Sequence, residues 1–428
     1  MKITFESHKL MSFFVENNCL EPVKQSKHTD NILEGIFKEL LEGVEFVNAE
    51  KQRLKNAFYN PRITVIEHVK QIPKPTTFSV NGFPDIVRKT IDENCLSSVS
   101  YTFNMYDRKI TIHFIIETSV IDSRIKKYNG YVDYILYWLY IVNKHASKRC
   151  SGELTFFIYH TSLTKLLPNS NIEVLSEPNI NTGFTRTCQA NAEIVVYRME
   201  EWFKVLLHES MHNFGLDFSD MDNTNCKSKI LSLFPVKSEV NLYEAYTEFW
   251  ARIMNVVFCS YSNARQKYNM NELLTNAEFF LNFERIYAFY QMVKILDFMD
   301  IEYLHLIAKT THADSIRRTL YKEKTNVLSY YIITLILIDS YEDFLMWCKV
   351  NNDTFLQFKK TEINQNRFCR FIEQRYKSED LLYSIDCTGD LLSKMKKTEI
   401  NKKKTKGKST KYIEFLLNNL RMTLCELN

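Results

Sequence analysis

The stretch AEIVVYRMEEWFKVLLHESMHNFGL, residues 192–216, changes its pattern of apolar residues within a few positions. Its first part, Ala192 to Arg198, is rich in β-branched side chains and predicts a strand. From Met199 to Leu216 the apolar residues return at helical spacing, with Trp202 and Val205 on the buried side. The stretch therefore predicts a strand that runs directly into a helix.

Two of the chain's ten histidines, His208 and His212, lie four residues apart on this predicted helix. Side chains at i and i+4 project from one helix face, one turn apart, so both imidazoles can reach a single zinc ion. Glu209 follows the first histidine and can take a proton from water that zinc makes acidic. With histidine this scarce, an HExxH pattern arises by chance in only about one chain in a hundred. We therefore predict a metal site with Glu209 as its general base, rather than two ordinary polar residues on a helix.

A catalytic zinc ion usually has three protein ligands and one open position, and a local third ligand is one alternative. Gly215 lies where the metzincin pattern HExxHxxGxxH/D has its glycine, but Phe218 occupies the third-ligand position. Phenylalanine cannot bind a metal. Asp217 and Asp220 flank that position without matching the pattern.

The other alternative is the helix predicted for NLYEAYTEFWARIMN, residues 241–255. Glu244 and Glu248 share one face of this helix at i and i+4. Taken alone, two such glutamates are more typical of a helix surface that faces solvent. The HExxH helix upstream makes a role at the metal the better interpretation.

Together the two segments resemble the gluzincin branch of the zincin metallopeptidases, in which HExxH is followed by a helix reading E-A-x-[ST]-[DE]. Glu244, Ala245, Thr247 and Glu248 match that pattern residue by residue. The resemblance implies that Glu244 is the third zinc ligand and that Glu248 orients a ligating histidine through its other ring nitrogen. Thermolysin-like members carry aspartate where this chain has Glu248. The resemblance covers about residues 131–260.

The expected fold class is α+β: a zincin-like catalytic core with a mixed sheet and an active-site helix, followed by a helical C-terminal lobe. Alternating runs on both sides of residues 107–109 predict a hairpin in the first part of the chain. The predicted units are an N-terminal α+β region (1–125), the zincin-like core (126–265), the helical lobe (266–393), a lysine-rich linker (394–411) and a C-terminal helix (412–428).

The resemblance also implies a peptide or protein substrate. In such folds the edge strand before the active helix aligns an extended peptide by main-chain hydrogen bonds, and Asn191–Arg198 is expected to be that strand. A donor to the developing oxyanion is needed as well. The sequence does not rank the candidate donors, which are Tyr243, Tyr246, Tyr287, His305 and His312.

Composition bears on where the protein works. The longest apolar run, Tyr330–Ile338, is too short to span a membrane, and the first residues lack the pattern of a signal peptide. Ten cysteines without a CxxC pair predict free thiols in a reducing, cytoplasmic compartment. Nine glycines and eight prolines beside abundant Asn, Lys and Ile are typical of an AT-rich genome such as that of a large DNA virus, so association with a virion is a further expectation.

Charge is concentrated in one segment. Residues 394–411, KMKKTEINKKKTKGKSTK, carry nine lysines and one glutamate, whereas the whole chain has a net charge of +4. Such a run is most often a solvated linker, and its alternative is a contact with an anionic partner.

Two other functions stay open. The first is an inactive, zincin-like structural or interaction protein that keeps the metal; a structural zinc site is closed by four ligands and does not need Glu209. The second is a nucleic-acid-binding protein that acts through the lysine run, whose binding would depend strongly on salt and not on zinc.

Overall fold

The computed structural model describes residues 1–17, 19–76, 82–119, 122–404 and 411–428. In this part of the chain a mixed sheet of six strands is packed among helices. The strands are β1 (Arg62–Val65), β2 (Ser97–Met105), β3 (Arg108–Ile116), β4 (Glu153–His160), β5 (Gly183–Thr185) and β6 (Asn191–Val196). The helices are α1 (Phe5–Asn17), α2 (Lys27–Leu54), α3 (Asp85–Asn94), α4 (Asp122–His145), α5 (Glu177–Ile180), α6 (Trp202–Asn213), α7 (Thr224–Leu233), α8 (Leu242–Asn263), α9 (Met270–Phe298), α10 (Tyr303–Ile307), α11 (Thr311–Leu320), α12 (Thr334–Asp339), α13 (Tyr341–Asn351), α14 (Glu362–Glu373), α15 (Glu379–Lys404) and α16 (Lys411–Asn418).

The strands follow the order β1-β2-β3-β4-β6-β5 across the sheet. The predicted hairpin is confirmed: β2 and β3 pair antiparallel, Met105 opposite Arg108. Tyr106 and Asp107 make its two-residue turn with φ of 59° and 58°, the conformation such a turn requires even where no glycine is present. β3, β4 and β6 run parallel to one another.

The prediction that Asn191–Arg198 is the edge strand is wrong. β6 lies between β4 and β5, and β5 pairs with it antiparallel, Gly183 opposite Val196 and Thr185 opposite Ile194. A strand of three residues is too short to show an alternating pattern. Among the described residues β5 is the last strand of the sheet on the side of α6.

The helix α6 lies between the sheet and the helical region, because it packs on β5 and β6 on one side and on α8 on the other. All twelve of its residues are buried. One face of the sheet, with Phe156 and Ile194, joins the main apolar core, and the other face, with Phe157 and Val195, packs in a smaller cluster that includes α3 residues. The predicted α+β class with a helical C-terminal region is confirmed.

The main apolar core reaches from Leu10 to Leu427, so it draws on the N-terminal and C-terminal segments alike. After α16 the last ten residues, 419–428, are not helical and lie almost wholly buried. The first part of the lysine run belongs to α15, where Lys396 pairs with Asp297; residues 405–410 lie outside the described part of the chain. The predicted domain boundaries and the anionic partner of the lysine run stay predictions. Among the described residues, no helix is long and apolar enough to cross a membrane.

The prediction that the cysteines are free thiols is wrong for four of them. Disulfides join Cys19 to Cys387 and Cys150 to Cys188. The first pair is separated by 368 residues in sequence. Spacing along the chain carries no information about such a pair, because tertiary packing alone brings its members together.

Candidate metal centre

The start of α6 is held by a buried carboxylate. Glu201, just before α6, has φ 58° and is 1% exposed. Its carboxylate accepts a hydrogen bond of 2.7 Å from Lys165 Nζ, and the backbone N–H groups of Met422 and Thr423 donate to it at 2.7 and 2.6 Å. The buried C-terminal tail therefore fixes the residue that precedes α6.

The side chains of His208, His212 and Glu244 converge on one point. His208 Nε2 lies 3.1 Å from His212 Nε2, and each of these nitrogens lies 3.2 Å from Glu244 Oε2. Tetrahedral ligands at about 2.0–2.1 Å from a zinc ion lie about 3.3–3.4 Å apart. The three residues could therefore hold a metal ion after small shifts of their side chains.

The outer ring nitrogens of both histidines face carboxylates. His208 Nδ1 lies 3.1 Å from Glu248 Oε2, and His212 Nδ1 contacts Asp217 Oδ2. A histidine that donates its Nδ1–H to a carboxylate keeps a lone pair on Nε2, and metal-binding histidines are commonly oriented in this way. The extra methylene of Glu248 does not prevent this contact.

Glu248 is the centre of a buried charge cluster. Lys204 Nζ donates to its two oxygens at 2.9 and 3.0 Å, and Arg252 Nε donates at 3.0 Å. The side chains of Glu248, Lys204 and Arg252 are 1%, 3% and 2% exposed, respectively. Burial alone would raise the pKa of Glu248, but Lys204, His208 and Arg252 hold that pKa well below its ordinary value. The carboxylate that faces His208 is therefore kept ionised.

Asp217 and Asp220 do not join the converging group. Asp217 is fully buried and, besides His212, accepts hydrogen bonds from the backbone and hydroxyl of Ser219 at 2.9 and 2.8 Å. Asp220 pairs with Lys360 at 2.8 Å on the surface, and Phe218 is buried in the apolar core. The segment after His212 thus supplies no third ligand. It supplies Asp217, a carboxylate that orients His212, and this role was not predicted from the sequence.

Glu209 lies beside the converging group without belonging to it. It is 8% exposed, and burial raises the pKa of its carboxyl group. Its position depends on Gly183 in β5: a Cβ atom there would lie 2.7 Å from Val195 O and 3.0 Å from Glu209 Cγ. Glycine therefore lets β5 approach α6 closely.

A cleft opens over these residues. One part, ≈ 240 Å³, is lined by His212, Glu244, Ser219, Tyr243 and residues 183–185 of β5. A second part, ≈ 30 Å³, lies toward the start of α6 and the C-terminal tail. His208, Glu209 and Tyr330 line both parts. β5 thus takes the place beside the cleft that we predicted for Asn191–Arg198.

Tyr330 is a residue of the site that the sequence did not reveal. It lies in a π-helical turn, Leu328–Ile333, and its hydroxyl donates to Glu244 Oε2 at 2.9 Å. Burial raises the pKa of this phenol well above its ordinary value, so the hydroxyl keeps its proton. In the sequence Tyr330 opens the longest apolar run, which gives no sign of a polar role.

Of the predicted oxyanion donors, the structure brings only Tyr243 to the cleft among the described residues. The Tyr246 hydroxyl donates to Leu356 O at 2.7 Å, deep in the core. Tyr287 accepts a hydrogen bond from Gln291 at 2.5 Å, and His305 accepts one from the backbone of Glu302 at 3.2 Å. His312 lies against the ring of His305. These four residues do not line the cleft.

Comparison with known proteins does not assign the chain to a family. No family model matches the chain, and neither a curated protein nor a solved structure does. The interpretation of the site therefore depends on its own geometry and chemistry.

Proposed function

We propose that this chain is a zinc-dependent metallopeptidase of gluzincin type, with His208, His212 and Glu244 as zinc ligands. The observation that carries the proposal is the convergence of three ligand atoms at 3.1–3.2 Å from one another, with Glu209 beside them at the wall of the same cleft.

The donor set supports zinc. Two imidazole nitrogens and one carboxylate oxygen form a common set for catalytic zinc, whereas calcium and magnesium prefer oxygen ligands alone. Among the described residues the group that could hold an ion has three members, not four. Three protein ligands leave one position for water or substrate, as catalytic zinc sites do.

Glu209 is the proposed general base. When bound, zinc supplies Lewis acidity, which polarises a substrate carbonyl and makes water more acidic. Glu209 takes the proton of the attacking water as the new C–O bond forms. It then delivers a proton to the amine that leaves when the C–N bond breaks. Burial raises the pKa of the carboxyl group, which makes it a stronger proton acceptor than an exposed glutamate.

Tyr330 and β5 serve the substrate in this proposal. Tyr330 lines both parts of the cleft. We assign its hydroxyl as the donor to the developing oxyanion, for which it exchanges its hydrogen bond to Glu244 Oε2. Residues 183–185 of β5 line the larger part of the cleft, as the strand that aligns a peptide substrate does in the proteins that this chain resembles. A peptide or protein is therefore the proposed substrate class.

The competing function is a zincin-like structural protein without hydrolytic activity. It would use the same three ligands, and it differs in two respects: it needs a fourth protein ligand, and it does not need Glu209. The open cleft over His212 and Glu244 favours the enzyme.

Metal content and cleavage, measured on matched variants, test the proposal. We expect close to one zinc per chain by mass spectrometry of the purified full-length protein. This zinc should be lost in His208→Ala and His212→Ala and kept in Glu209→Gln. Glu239→Gln, which changes an exposed glutamate outside the site, is the control for each measurement.

Cleavage should be followed on a proteome-derived peptide library by labelling new amino termini. Glu209→Gln should reduce the cleavage rate by about 10²–10⁴-fold, the usual contribution of a general base, while Glu239→Gln leaves it unchanged. Equal cleavage by wild type and Glu209→Gln would contradict the mechanism. X-ray absorption showing four protein ligands, together with no cleavage by wild type, would establish the structural alternative.

A further inference from the structure

The disulfide between Cys150 and Cys188 lies at the C-terminal end of α6. It joins residues whose Cα atoms are 4.5 Å apart. The backbone N–H of Cys188 donates to the carbonyl oxygen of Asn213, the last residue of α6, at 2.9 Å. A Cβ atom on Gly215 would lie 3.5 Å from Cys188 Cβ and 3.8 Å from Cys150 Sγ. The bond therefore fastens residues 186–190, the β5–β6 loop, beside the turn that ends α6.

The β5–β6 loop is linked to the metal centre through hydrogen bonds. Thr187 Oγ1 lies 3.0 Å from Ser219 Oγ, and the Ser219 hydroxyl donates to Asp217 Oδ1 at 2.8 Å. Asp217 in turn contacts His212 Nδ1. Thr187 also lines the larger part of the cleft. The residue before Cys188 is therefore part of the cleft wall and the end of a hydrogen-bond chain that reaches a ligand of the proposed metal ion.

The backbone is left-handed on both sides of the bond. Cys188 has φ 48°, and Ser151, which follows Cys150, has φ 58°. This conformation is unfavourable for a residue with a Cβ atom and persists where the surroundings impose it. Apart from the bond, the loop is held by hydrogen bonds such as that from the Ser151 N–H to Gln189 O at 2.7 Å, and four of its five residues are exposed to water, which competes for such bonds. Loss of the bond therefore removes a constraint that keeps the loop in its place.

The two cysteines differ in their surroundings. Cys188 is exposed, whereas Cys150 is 1% exposed. A dissolved thiolate can therefore reach Cys188, and Cys150 is the leaving group. The guanidinium of Arg108, which is 5% exposed, donates to Cys150 O. A cation beside a cysteine favours its thiolate, so Arg108 favours the departure of Cys150 from the bond.

We propose that the Cys150–Cys188 bond is a thiol–disulfide exchange site through which small thiols control the metal centre. A thiolate attacks Cys188 Sγ, so that a mixed disulfide forms as the bond to Cys150 breaks, and Cys150 takes up a proton. A second thiol attacks the small-molecule sulfur of the mixed disulfide and releases Cys188 as a thiol. In total two small thiols give up two electrons and two protons and become one disulfide, while the two cysteines receive them.

The open and closed forms differ in the position of the β5–β6 loop. Without the bond, Cys188 leaves its left-handed conformation, and Thr187 moves away from Ser219 with it. Asp217 is then held less firmly against His212, so the metal is bound more weakly and the cleft loses part of its wall. The effect on the metal does not depend on hydrolysis, whereas control of cleavage rests on the proposed function.

The first measurement is hydrogen–deuterium exchange of the full-length protein, before and after treatment with excess reduced glutathione. Mass mapping without further reduction should find the Cys150–Cys188 bond opened, with glutathione attached to Cys188 in the intermediate. Amide exchange in residues 186–190 should become about 10-fold faster or more, because local opening then needs less free energy. Exchange in β4 should stay the same.

The second measurement is the zinc affinity of two matched double variants, taken without glutathione because thiols bind zinc. Cys150→Ser, Cys188→Ser lacks the exchange site. Cys19→Ser, Cys387→Ser lacks the other disulfide, whose cysteines do not line the cleft. We expect the first variant to bind zinc up to about 10-fold more weakly, the lower end of the effect of losing a direct orienting partner, and the second to match wild type. Peptide cleavage should follow the same order.

The outcomes distinguish this proposal from the proposed function. A bond that stays closed in reduced glutathione, or loop exchange that does not change when the bond opens, would overturn the control of the metal centre. Equal zinc affinities of the two double variants would overturn it as well. Absence of cleavage in every form, together with the expected changes in exchange and zinc affinity, would refute the peptidase and leave the exchange site in place. Active variants that cleave at equal rates would refute control of the enzyme.

Discussion

Replacing Glu248 with glutamine separates the two roles that the structure gives to this carboxylate. The substitution keeps the shape of the side chain and removes one negative charge. Glu248 faces His208, and it also accepts hydrogen bonds from Lys204 and Arg252. We expect Glu248→Gln to weaken zinc binding moderately and to lower the free energy of unfolding strongly.

The magnitude follows from burial. Lys204 and Arg252 are 3% and 2% exposed, so neither cation can recover the lost charge pairing from water. Removing one member of a buried ion pair typically costs about 3–5 kcal/mol, a large share of the roughly 5–15 kcal/mol that stabilises a folded domain. Loss of a carboxylate that orients a metal-binding histidine typically costs about 10–100-fold in metal affinity.

The assay compares Glu248→Gln with Glu244→Gln in urea unfolding, after both proteins have been stripped of metal with a chelator. Glu244 accepts a hydrogen bond from Tyr330 and faces two histidines, which can lose their charge, so its replacement leaves no permanent cation unpaired. Glu244→Gln should therefore change the unfolding free energy by about 1 kcal/mol or less. In zinc titrations Glu244→Gln should have the larger effect of the two variants. It should lose more than about 100-fold in zinc affinity because a ligand is removed.

The reasoning fails if metal-free Glu248→Gln unfolds at the same urea concentration as wild type. That result would mean that Lys204 and Arg252 find other partners or water when the carboxylate is neutral. Equal zinc affinities of Glu244→Gln and Glu248→Gln would instead refute the division into ligand and orienting residue.

Three further outcomes are expected. Gly183→Ala should lower the unfolding free energy by about 1–3 kcal/mol through overpacking against Val195 O, whereas Gly389→Ala, whose Cβ would meet nothing within 4 Å in α15, should be neutral or stabilising in thermal unfolding. Tyr330→Phe should keep zinc and reduce peptide cleavage by about 10²–10³-fold, as loss of an oxyanion donor does; unchanged cleavage would remove Tyr330 from the mechanism. Burial lowers the pKa of His160 in the folded chain to about 3. As the pH falls, this imidazole is therefore protonated in the unfolded chain before it is protonated in the folded chain. Stability should fall by about 1.4 kcal/mol per pH unit as pH drops from about 6.5 toward 3, and His160→Phe should flatten that slope in acid-unfolding curves.

Local sequence patterns were sufficient to predict much of the candidate metal site. The β-branched run of β6 and the helical spacing of α6 predicted both elements, and i, i+4 spacing put His208 with His212 and Glu244 with Glu248 on common helix faces. The structure then brings the two faces together, because α6 packs on α8. The packing of these two helices was predicted only through the family resemblance, since the spacing of residues within one helix does not indicate which helix packs against it.

The features that were missed all depend on tertiary packing. Tyr330 lies 86 residues after Glu244 in sequence, in an apolar run that resembles core. β5 is three residues long, so its edge position has no period-2 signal. Asp217 was weighed as a ligand because aspartate binds metals, and only the side-chain geometry shows that it faces the outer nitrogen of His212.

Charge balance gives an independent reason to expect a divalent ion at this site. Four buried or nearly buried carboxylates surround the histidines, and two permanent cations, Lys204 and Arg252, face them. When Glu209 is ionised, two negative charges are left over, and burying unpaired charge is costly. Protons on both histidines would balance them, but the Nε2 atoms of His208 and His212 face each other at 3.1 Å, where two N–H groups would repel. A dication among the three ligand atoms balances the same charges and accepts both nitrogen lone pairs. The four carboxylates are Glu209, Asp217, Glu244 and Glu248.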